Sequence, residues 1–133
     1  MARPRDSSLR REKSPSPRVL VVDDEPLIRW WLSESFGERG YEVVEAADAE
    51  SAVRATGAEP PFDLILLDFR LPDSNDLSLL SELRIRVPDA RIILMTAYGT
   101  PEVERRALEI GADGIIAKPF QFDDLFELGS DDS

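Results

Sequence analysis

Neither cysteine nor histidine occurs in the 133 residues of the chain. Without cysteine there are no disulfides, no thiolate zinc sites and no cysteine nucleophile. Without histidine the chain has no imidazole for acid–base chemistry and none of the usual nitrogen ligands for zinc or copper. Any bound metal must therefore be held by oxygen, which favours Mg²⁺, Ca²⁺ or Mn²⁺.

Long apolar runs are missing as well. No stretch approaches the length that spans a bilayer, and the N-terminus lacks the apolar core of a signal peptide. We therefore expect a cytoplasmic protein without membrane contacts. The length, together with a hydrophobic content of 42%, is that of one ordinary globular domain.

Positive charge is scarce and unevenly spread. The formal net charge is −11, yet residues 1–17 carry five basic and two acidic side chains, so the remaining residues carry −14. Because an acidic surface repels phosphate backbones, we expect no direct contact with nucleic acid. The composition predicts a flexible N-terminal arm over residues 1–17, a folded domain over 18–128 and an acidic end over 129–133.

Short apolar runs alternate with segments of helical periodicity. The runs predict buried strands at Arg18–Val22, Tyr41–Glu45, Leu64–Leu67, Arg91–Met95 and Gly114–Ala117. Five helical segments follow them, the last one short. Gly40 and Gly111 are expected to end helices, and Thr100 followed by Pro101 to begin one. This alternation predicts an α/β fold with a parallel sheet and right-handed crossovers.

Polar side chains follow four of the five predicted strands. Directly after these strands come Asp23, Asp24 and Glu25, then Asp68, then Thr96, and finally Lys118. Ligands of open parallel sheets bind outside the carboxyl ends of the strands, so we expect these side chains to converge. Clustered carboxylates repel one another and need a cation, and Mg²⁺ suits two or three carboxylates with carbonyls and water. A carboxylate can also attack phosphorus, while lysine and threonine neutralise phosphoryl oxygens.

Each of these residues also has a purely structural explanation. Asp23 and Asp24 could cap the following helix, whereas Asp68 and Thr96 could be ordinary strand-end residues. Lys118 is harder to dismiss, because the chain has 14 arginines and only two lysines, and the other lysine lies in the predicted arm. A single lysine in the folded part indicates a site that requires a compact point charge.

Four segments together identify a family: VLVVDDEP, LILLDFRLPD, ILMTAYG and GADGIIAKPF. They resemble the CheY-like receiver domain of two-component response regulators, and the resemblance runs from Arg18 to Phe126. It implies a flavodoxin-like (βα)5 fold, a three-layer sandwich whose five-stranded parallel sheet has the order 2-1-3-4-5.

The resemblance also implies a role for each site residue. Asp68 would be the phosphoacceptor, phosphorylated by a sensor histidine kinase or a phosphotransfer protein. Mg²⁺ would be bound by Asp23, Asp24 and Asp68 together with the backbone carbonyl of Arg70. No other cofactor is implied, and the domain would catalyse only its own phosphorylation and dephosphorylation.

The remaining implied roles concern the response to phosphorylation. Thr96 would donate a hydrogen bond to the phosphoryl group, Lys118 would pair with it, and the peptide bond before Pro119 would be cis. The switch residues would be Thr96, Tyr98 and the residue at position 115. Switching would alter protein–protein contacts, with homodimerisation expected through the face made by the fourth helix, fifth strand and fifth helix.

Three positions depart from the family pattern. Ile115 stands where an aromatic residue is usual, which predicts a smaller rearrangement around the fifth strand on phosphorylation. The alternative is that Ile115 only packs in the core of a domain that switches normally. Asp76 stands where glycine is usual, and it can still cap the third helix. The last helix is short and is expected to end before Gly129.

Other functions stay open at this point. A pseudo-receiver would bind partners without being phosphorylated. Such domains are marked by the loss of the aspartate or the lysine, and this chain keeps both. A Mg²⁺-dependent phosphohydrolase with an aspartyl-phosphate intermediate usually has a second aspartate two residues after the nucleophile, where this chain has Arg70. A flavodoxin-like cofactor binder would need a first loop rich in Ser, Thr and Gly.

Overall fold

The computed structural model describes residues 16–58, 60–97 and 99–130. Strands and helices alternate along these residues: β1 Arg18–Val22, α1 Pro26–Glu38, β2 Glu42–Ala46, α2 Ala49–Ala55, β3 Leu64–Asp68, α3 Ser78–Arg86, β4 Arg91–Thr96, α4 Pro101–Ile110, β5 Gly114–Ala117 and α5 Phe122–Ser130. The predicted arm lies outside the described residues apart from Ser16 and Pro17, and so does Tyr98.

The five strands form one parallel sheet in the order β2-β1-β3-β4-β5. The predicted α/β class and the order 2-1-3-4-5 are therefore confirmed. All residues of β1 and β3 are buried, because both faces of the central strands are covered by helices.

Alternate residues of each strand face opposite sides of the sheet and divide the core into two layers. One layer joins Leu20, Ile65 and Leu94 to residues of α2, α3 and α4, such as Leu83 and Ala107. The other layer joins strand residues to α1 and α5, and includes Val21, Leu66, Phe36 and Leu125. Two helical layers around one sheet make the three-layer sandwich that the resemblance implies.

The predicted strand bounds hold to within one residue. β2 begins and ends one residue later than predicted, and β3 and β4 each extend by one residue. Asp68 and Thr96 are therefore the last residues of their strands instead of the first residues after them. The ladder continues past the apolar run because its bonds are made by the backbone: the Phe69 amide donates to the Met95 carbonyl at 2.9 Å.

The end of α5 differs from the prediction. The helix continues through Gly129 to Ser130, two residues beyond the predicted end of the folded domain. Gly129 is buried, and a Cβ atom there would lie 2.9 Å from Cδ2 of Leu64. Glycine at this position therefore allows α5 to approach β3, and the predicted end of the helix before Gly129 is wrong. Gly111, with a φ of 138°, does end α4 as predicted.

Thr100 caps α4 as predicted, because its side chain accepts a hydrogen bond from the Val103 amide, and Pro101 opens the helix. Asp76 lies one residue before the N-cap of α3, and its carboxylate accepts hydrogen bonds from the amide and hydroxyl of Ser78. Within the described ranges, none of the helices is long and apolar enough to cross a membrane.

Candidate functional site

The carboxyl ends of β1, β3, β4 and β5 lie at the same edge of the sheet. Asp23 and Asp24 directly follow β1, Asp68 ends β3, Thr96 ends β4 and Lys118 directly follows β5. The sheet registers keep these ends level, since Asp68 pairs with Met95 of β4 and Thr96 pairs with Ala117 of β5. The topology thus places all four predicted strand ends around one pocket.

Three carboxylates form the acidic part of the pocket. Asp23, Asp24 and Asp68 each offer an oxygen, and these oxygens all lie within 4.8 Å of one another. Asp23 is 0% exposed and Asp68 is 7% exposed, whereas Asp24 is open to solvent. Two oxygens on the same Mg²⁺ lie at most about 4.2 Å apart, so the cluster is nearly compact enough to share one ion. The donor set therefore fits a hard divalent cation.

Lys118 supplies the positive charge of the pocket. Its Nζ atom lies 2.8 Å from Asp23 Oδ2, 3.1 Å from Glu25 Oε1 and 3.5 Å from Asp68 Oδ2. Burial lowers the pKa of Lys118, but the hydrogen bond and charge of Asp23, with the contributions of Asp68 and Glu25, outweigh it and raise the pKa. The ammonium group therefore stays protonated and faces three carboxylates at once.

The electrostatics of Asp68 follow from its surroundings. Burial is the main effect and the negative charge of Asp23 adds to it, so the pKa of Asp68 is raised to about 6. Lys118 and the hydrogen bond from the Arg70 amide, at 3.3 Å, act in the opposite direction. At neutral pH the carboxylate is mostly ionised and can act as a nucleophile.

Asp23 has a structural role and a site role at the same time. Its Oδ1 atom accepts a hydrogen bond from the Glu25 amide at 2.9 Å, while Oδ2 faces Lys118. The backbone of Asp23 is fixed too, since its amide donates to the Ala46 carbonyl and its carbonyl accepts from Arg29 Nη1 at 2.8 Å. Local turn formation therefore explains only one of the two carboxylate oxygens.

The other predicted site residues are placed as follows. Thr96 is 2% exposed at the end of β4, and its carbonyl accepts the Lys118 amide at 2.9 Å. The peptide bond between Lys118 and Pro119 is cis, as expected. Ile115 is half-buried in β5 and packs against the core layer under α2, α3 and α4. The role of the Arg70 carbonyl stays a prediction.

Two further residues lie beside the site and have no predicted role there. Glu25 contacts Lys118, which agrees with the expected convergence of the side chains that follow β1. At Gly99 a Cβ atom would lie 2.9 Å from Thr96 Cγ2 and 3.3 Å from Thr96 Oγ1. The loop backbone therefore lies directly against Thr96, and only the short spacing between these residues pointed to that contact.

Comparison with known proteins gives a consistent result. A family model for the response regulator receiver domain matches residues 19–128. Sporulation initiation phosphotransferase F of Bacillus subtilis is 35% identical over 108 residues, which cover 81% of this chain and 86% of that protein. The transcriptional regulatory protein AruR of Pseudomonas aeruginosa is 47% identical over 109 residues, covering 77% of this chain but only 43% of AruR.

Solved structures show the same fold. A response regulator from Burkholderia pseudomallei, determined with a phosphorylated aspartic acid, calcium and citrate, has a TM-score of 0.80 and 33% identity over 86% of this chain and 67% of its own. The CheX–CheY–BeF3–Mg complex from Borrelia burgdorferi gives a TM-score of 0.78 and 28% identity over 84% of this chain and 85% of the matched chain.

A flavodoxin-like sheet that carries an aspartate cluster and a lysine at its carboxyl edge defines the class of the receiver domains. The chain belongs to the response regulator receiver family of two-component signalling. Domains of this family are regulatory.

Proposed function

We propose that the domain is a phosphorylation switch in which Asp68 accepts a phosphoryl group in a Mg²⁺-dependent reaction. The donor would be the phosphohistidine of a sensor histidine kinase or of a phosphotransfer protein. One observation carries the proposal: the Asp68 carboxylate lies within 4.8 Å of two further carboxylates and 3.5 Å from the ammonium group of Lys118. This combination suits phosphoryl transfer, in which the protein mainly positions and neutralises charged oxygens.

The chemical step begins when a carboxylate oxygen of Asp68 attacks phosphorus. The bond between phosphorus and the donor's imidazole nitrogen breaks, its electron pair returns to that nitrogen, and an acyl phosphate forms on Asp68. Lys118 balances negative charge on the transferred group, and the Thr96 hydroxyl donates a hydrogen bond to it. Hydrolysis of the acyl phosphate by water returns Asp68 to its starting state.

Asp23, Asp24 and Asp68 would hold Mg²⁺ together with the backbone carbonyl of Arg70. When bound, the ion supplies positive charge that neutralises the transferring phosphoryl oxygens. Asp23 is held from several sides and Asp24 is open to solvent, so the pocket combines a fixed ligand with an accessible one.

The consequence of phosphorylation would be a change in protein–protein contacts in the cytoplasm, without direct binding to nucleic acid or membrane. The domain would act on no substrate other than its own Asp68. We propose α4, β5 and α5 as the surface for a homodimer. The two relatives described above, a phosphotransferase and a transcriptional regulatory protein by name, are consistent with signalling of this kind.

Incubation with acetyl phosphate and Mg²⁺, followed by intact-mass measurement, tests the proposal. We expect one phosphoryl group on the unmodified protein and on Asp89→Asn, whose carboxylate is exposed and lies outside the pocket. We expect none on Asp68→Asn. Phosphorylation of Asp68→Asn at the wild-type rate would refute the assignment of the acceptor. If the wild-type protein gains no phosphoryl group, the result would favour an interaction module that is not phosphorylated.

A further inference from the structure

The carboxylate of Asp73 connects a loop to the start of a helix at the carboxyl edge of the sheet. Asp73 lies in the loop between β3 and α3. Its Oδ1 atom accepts a hydrogen bond from the Ala49 amide at 2.8 Å, and its Oδ2 atom accepts one from the Glu50 amide at 3.1 Å. Ala49 and Glu50 are the first two residues of α2. A single carboxylate therefore ties the β3–α3 loop to the start of another helix.

Helix α2 already has its own cap, so the contact with Asp73 is additional. Asp48 accepts the Ser51 amide at 2.8 Å and forms a capping box with that serine. A carboxylate at a helix start accepts charge-assisted hydrogen bonds and interacts favourably with the helix dipole. The Asp73 carboxylate is thus held against the start of α2, although Asp73 itself lies on the surface.

The loop around Asp73 is a short turn that begins directly after Arg70. The Leu71 amide donates to the Ser74 carbonyl at 2.8 Å, and the Ser74 amide donates back to the Leu71 carbonyl at 3.3 Å. Leu71 is buried in the core, and Asp73 reaches α2 from within the turn. On the other side, the Arg70 amide donates to Asp68 Oδ1 at 3.3 Å.

We propose that Asp73 is a positioning residue for the metal-binding carbonyl of Arg70. This inference rests on the proposed function, in which that carbonyl is a Mg²⁺ ligand. A carbonyl points in a fixed direction only if the backbone on both sides is fixed. Asp68 holds the backbone before the Arg70 carbonyl, and the turn anchored by Leu71 and Asp73 holds the backbone after it.

Titration with MgCl₂, followed through the NMR amide signals of the pocket loops, tests this role in the full chain. Loss of a residue that holds a metal ligand in place typically weakens metal binding by tenfold or more. Asp73→Ala should therefore weaken Mg²⁺ binding by about tenfold. Asp73→Asn keeps one acceptor oxygen and should lose less. Asp48→Ala is the matched control, because it removes a cap from the same helix and the hydrogen-bond partner of the Asp48 side chain, Ser51, lies within α2.

We expect Asp48→Ala to bind Mg²⁺ as the unmodified protein does, even where urea unfolding shows a loss of stability similar to that of Asp73→Ala. If both alanine variants lose affinity equally, Asp73 acts only through the stability of α2, and the inference is wrong. It is also wrong if Asp73→Ala binds Mg²⁺ normally, while the proposed function stands. Failure of the unmodified protein to bind Mg²⁺ would instead overturn the proposed function.

Discussion

Asp23 and Asp68 are buried carboxylates that share one ammonium group, the Nζ atom of Lys118. Asp24 lies in the same carboxylate cluster and Glu25 also contacts Lys118, so the pocket is short of positive charge. Burial makes this shortage costly, because water cannot screen the repulsion between the acidic groups. The pocket is therefore arranged for a cation and for a phosphoryl group, at the expense of stability when both are absent.

The pH dependence of stability should reveal this cost. The folded-state pKa of Asp68 is raised to about 6, above its unfolded value, so the folded protein binds this proton more tightly than the unfolded chain does. The resulting contribution to the free energy of unfolding is fully present below the unfolded pKa and is lost as pH rises through 6. Asp68→Asn removes the ionisation and should stabilise the metal-free protein at pH 7 by about 1–3 kcal/mol relative to the wild type. The advantage should shrink towards pH 4.

Urea unfolding in the presence of EDTA, at several pH values between 4 and 8, measures this difference. Asp89→Asn serves as the control, because Asp89 is exposed and lies outside the pocket. A stability difference between Asp68→Asn and the wild type that stays constant over this range would contradict the electrostatic explanation.

Asp24 gives a second prediction, which concerns the metal. It is the exposed member of the acidic cluster, and its loss leaves two carboxylates, both already in contact with Lys118. We expect Asp24→Ala to bind Mg²⁺ at least tenfold more weakly than the wild type, since a carboxylate ligand is lost outright. Calorimetric titration measures the affinity, and equal affinities in the two proteins would exclude Asp24 as a ligand.

At the scale of elements, two glycines in helices have opposite surroundings. In α5, a Cβ atom at Gly129 would lie 2.9 Å and 3.2 Å from the two δ-carbons of the fully buried Leu64. In α1, a Cβ atom at Gly37 would have nothing within 4 Å. The same substitution should therefore change stability in opposite directions.

Gly37→Ala should stabilise the protein by about 0.5–1 kcal/mol, the usual gain in helix propensity. Gly129→Ala, also at the second-last residue of its helix, makes a similar gain but must displace Leu64, where overpacking costs about 1–3 kcal/mol. We expect a net loss of roughly 1 kcal/mol for Gly129→Ala. Urea unfolding of both variants checks the signs, and stabilisation by Gly129→Ala would mean that α5 does not press on β3.

The strands and both ends of α4 could be predicted because their signals are local. Apolar runs mark the buried strands, and Thr100, Pro101 and Gly111 mark the ends of α4. The end of α5 was predicted too early because the role of Gly129 depends on Leu64, which is distant in sequence and adjacent only after folding. The extension of β3 to Asp68 was missed for a similar reason, since the ladder depends on the neighbouring strand.

At the scale of the whole molecule, the site could be predicted because a parallel sheet brings all its carboxyl strand ends to one edge. Asp23, Asp68 and Lys118 meet there as expected. The bridge from Asp73 to Ala49 could not be predicted, since it joins the β3–α3 loop to the start of α2, 24 residues away in sequence, and no local pattern specifies the path of that loop.

The last prediction concerns how phosphorylation is transmitted through the molecule. A phosphoryl group adds nearly two negative charges to Asp68 and should draw Thr96 towards it. Thr96 ends β4 and lies against Gly99, so its movement should reshape residues 96–105 directly. Ile115 offers no ring to fill the vacated space, and it is already packed against the core beside Leu94. We therefore expect a smaller rearrangement of residues 112–118, with Tyr98 and α4 carrying more of the response.

Amide chemical shifts measured with and without beryllofluoride, a mimic of the phosphoryl group, test this expectation. A ligand shifts a two-state equilibrium only by its differential affinity for the two states, so weak coupling to β5 should appear as small shift changes in residues 112–118. Ile115→Tyr restores a ring with a polar tip and should enlarge those changes relative to residues 96–105. Changes in the unmodified protein that are equally large in both segments would show that Ile115 is ordinary core packing, because the signal would then reach β5 without an aromatic side chain.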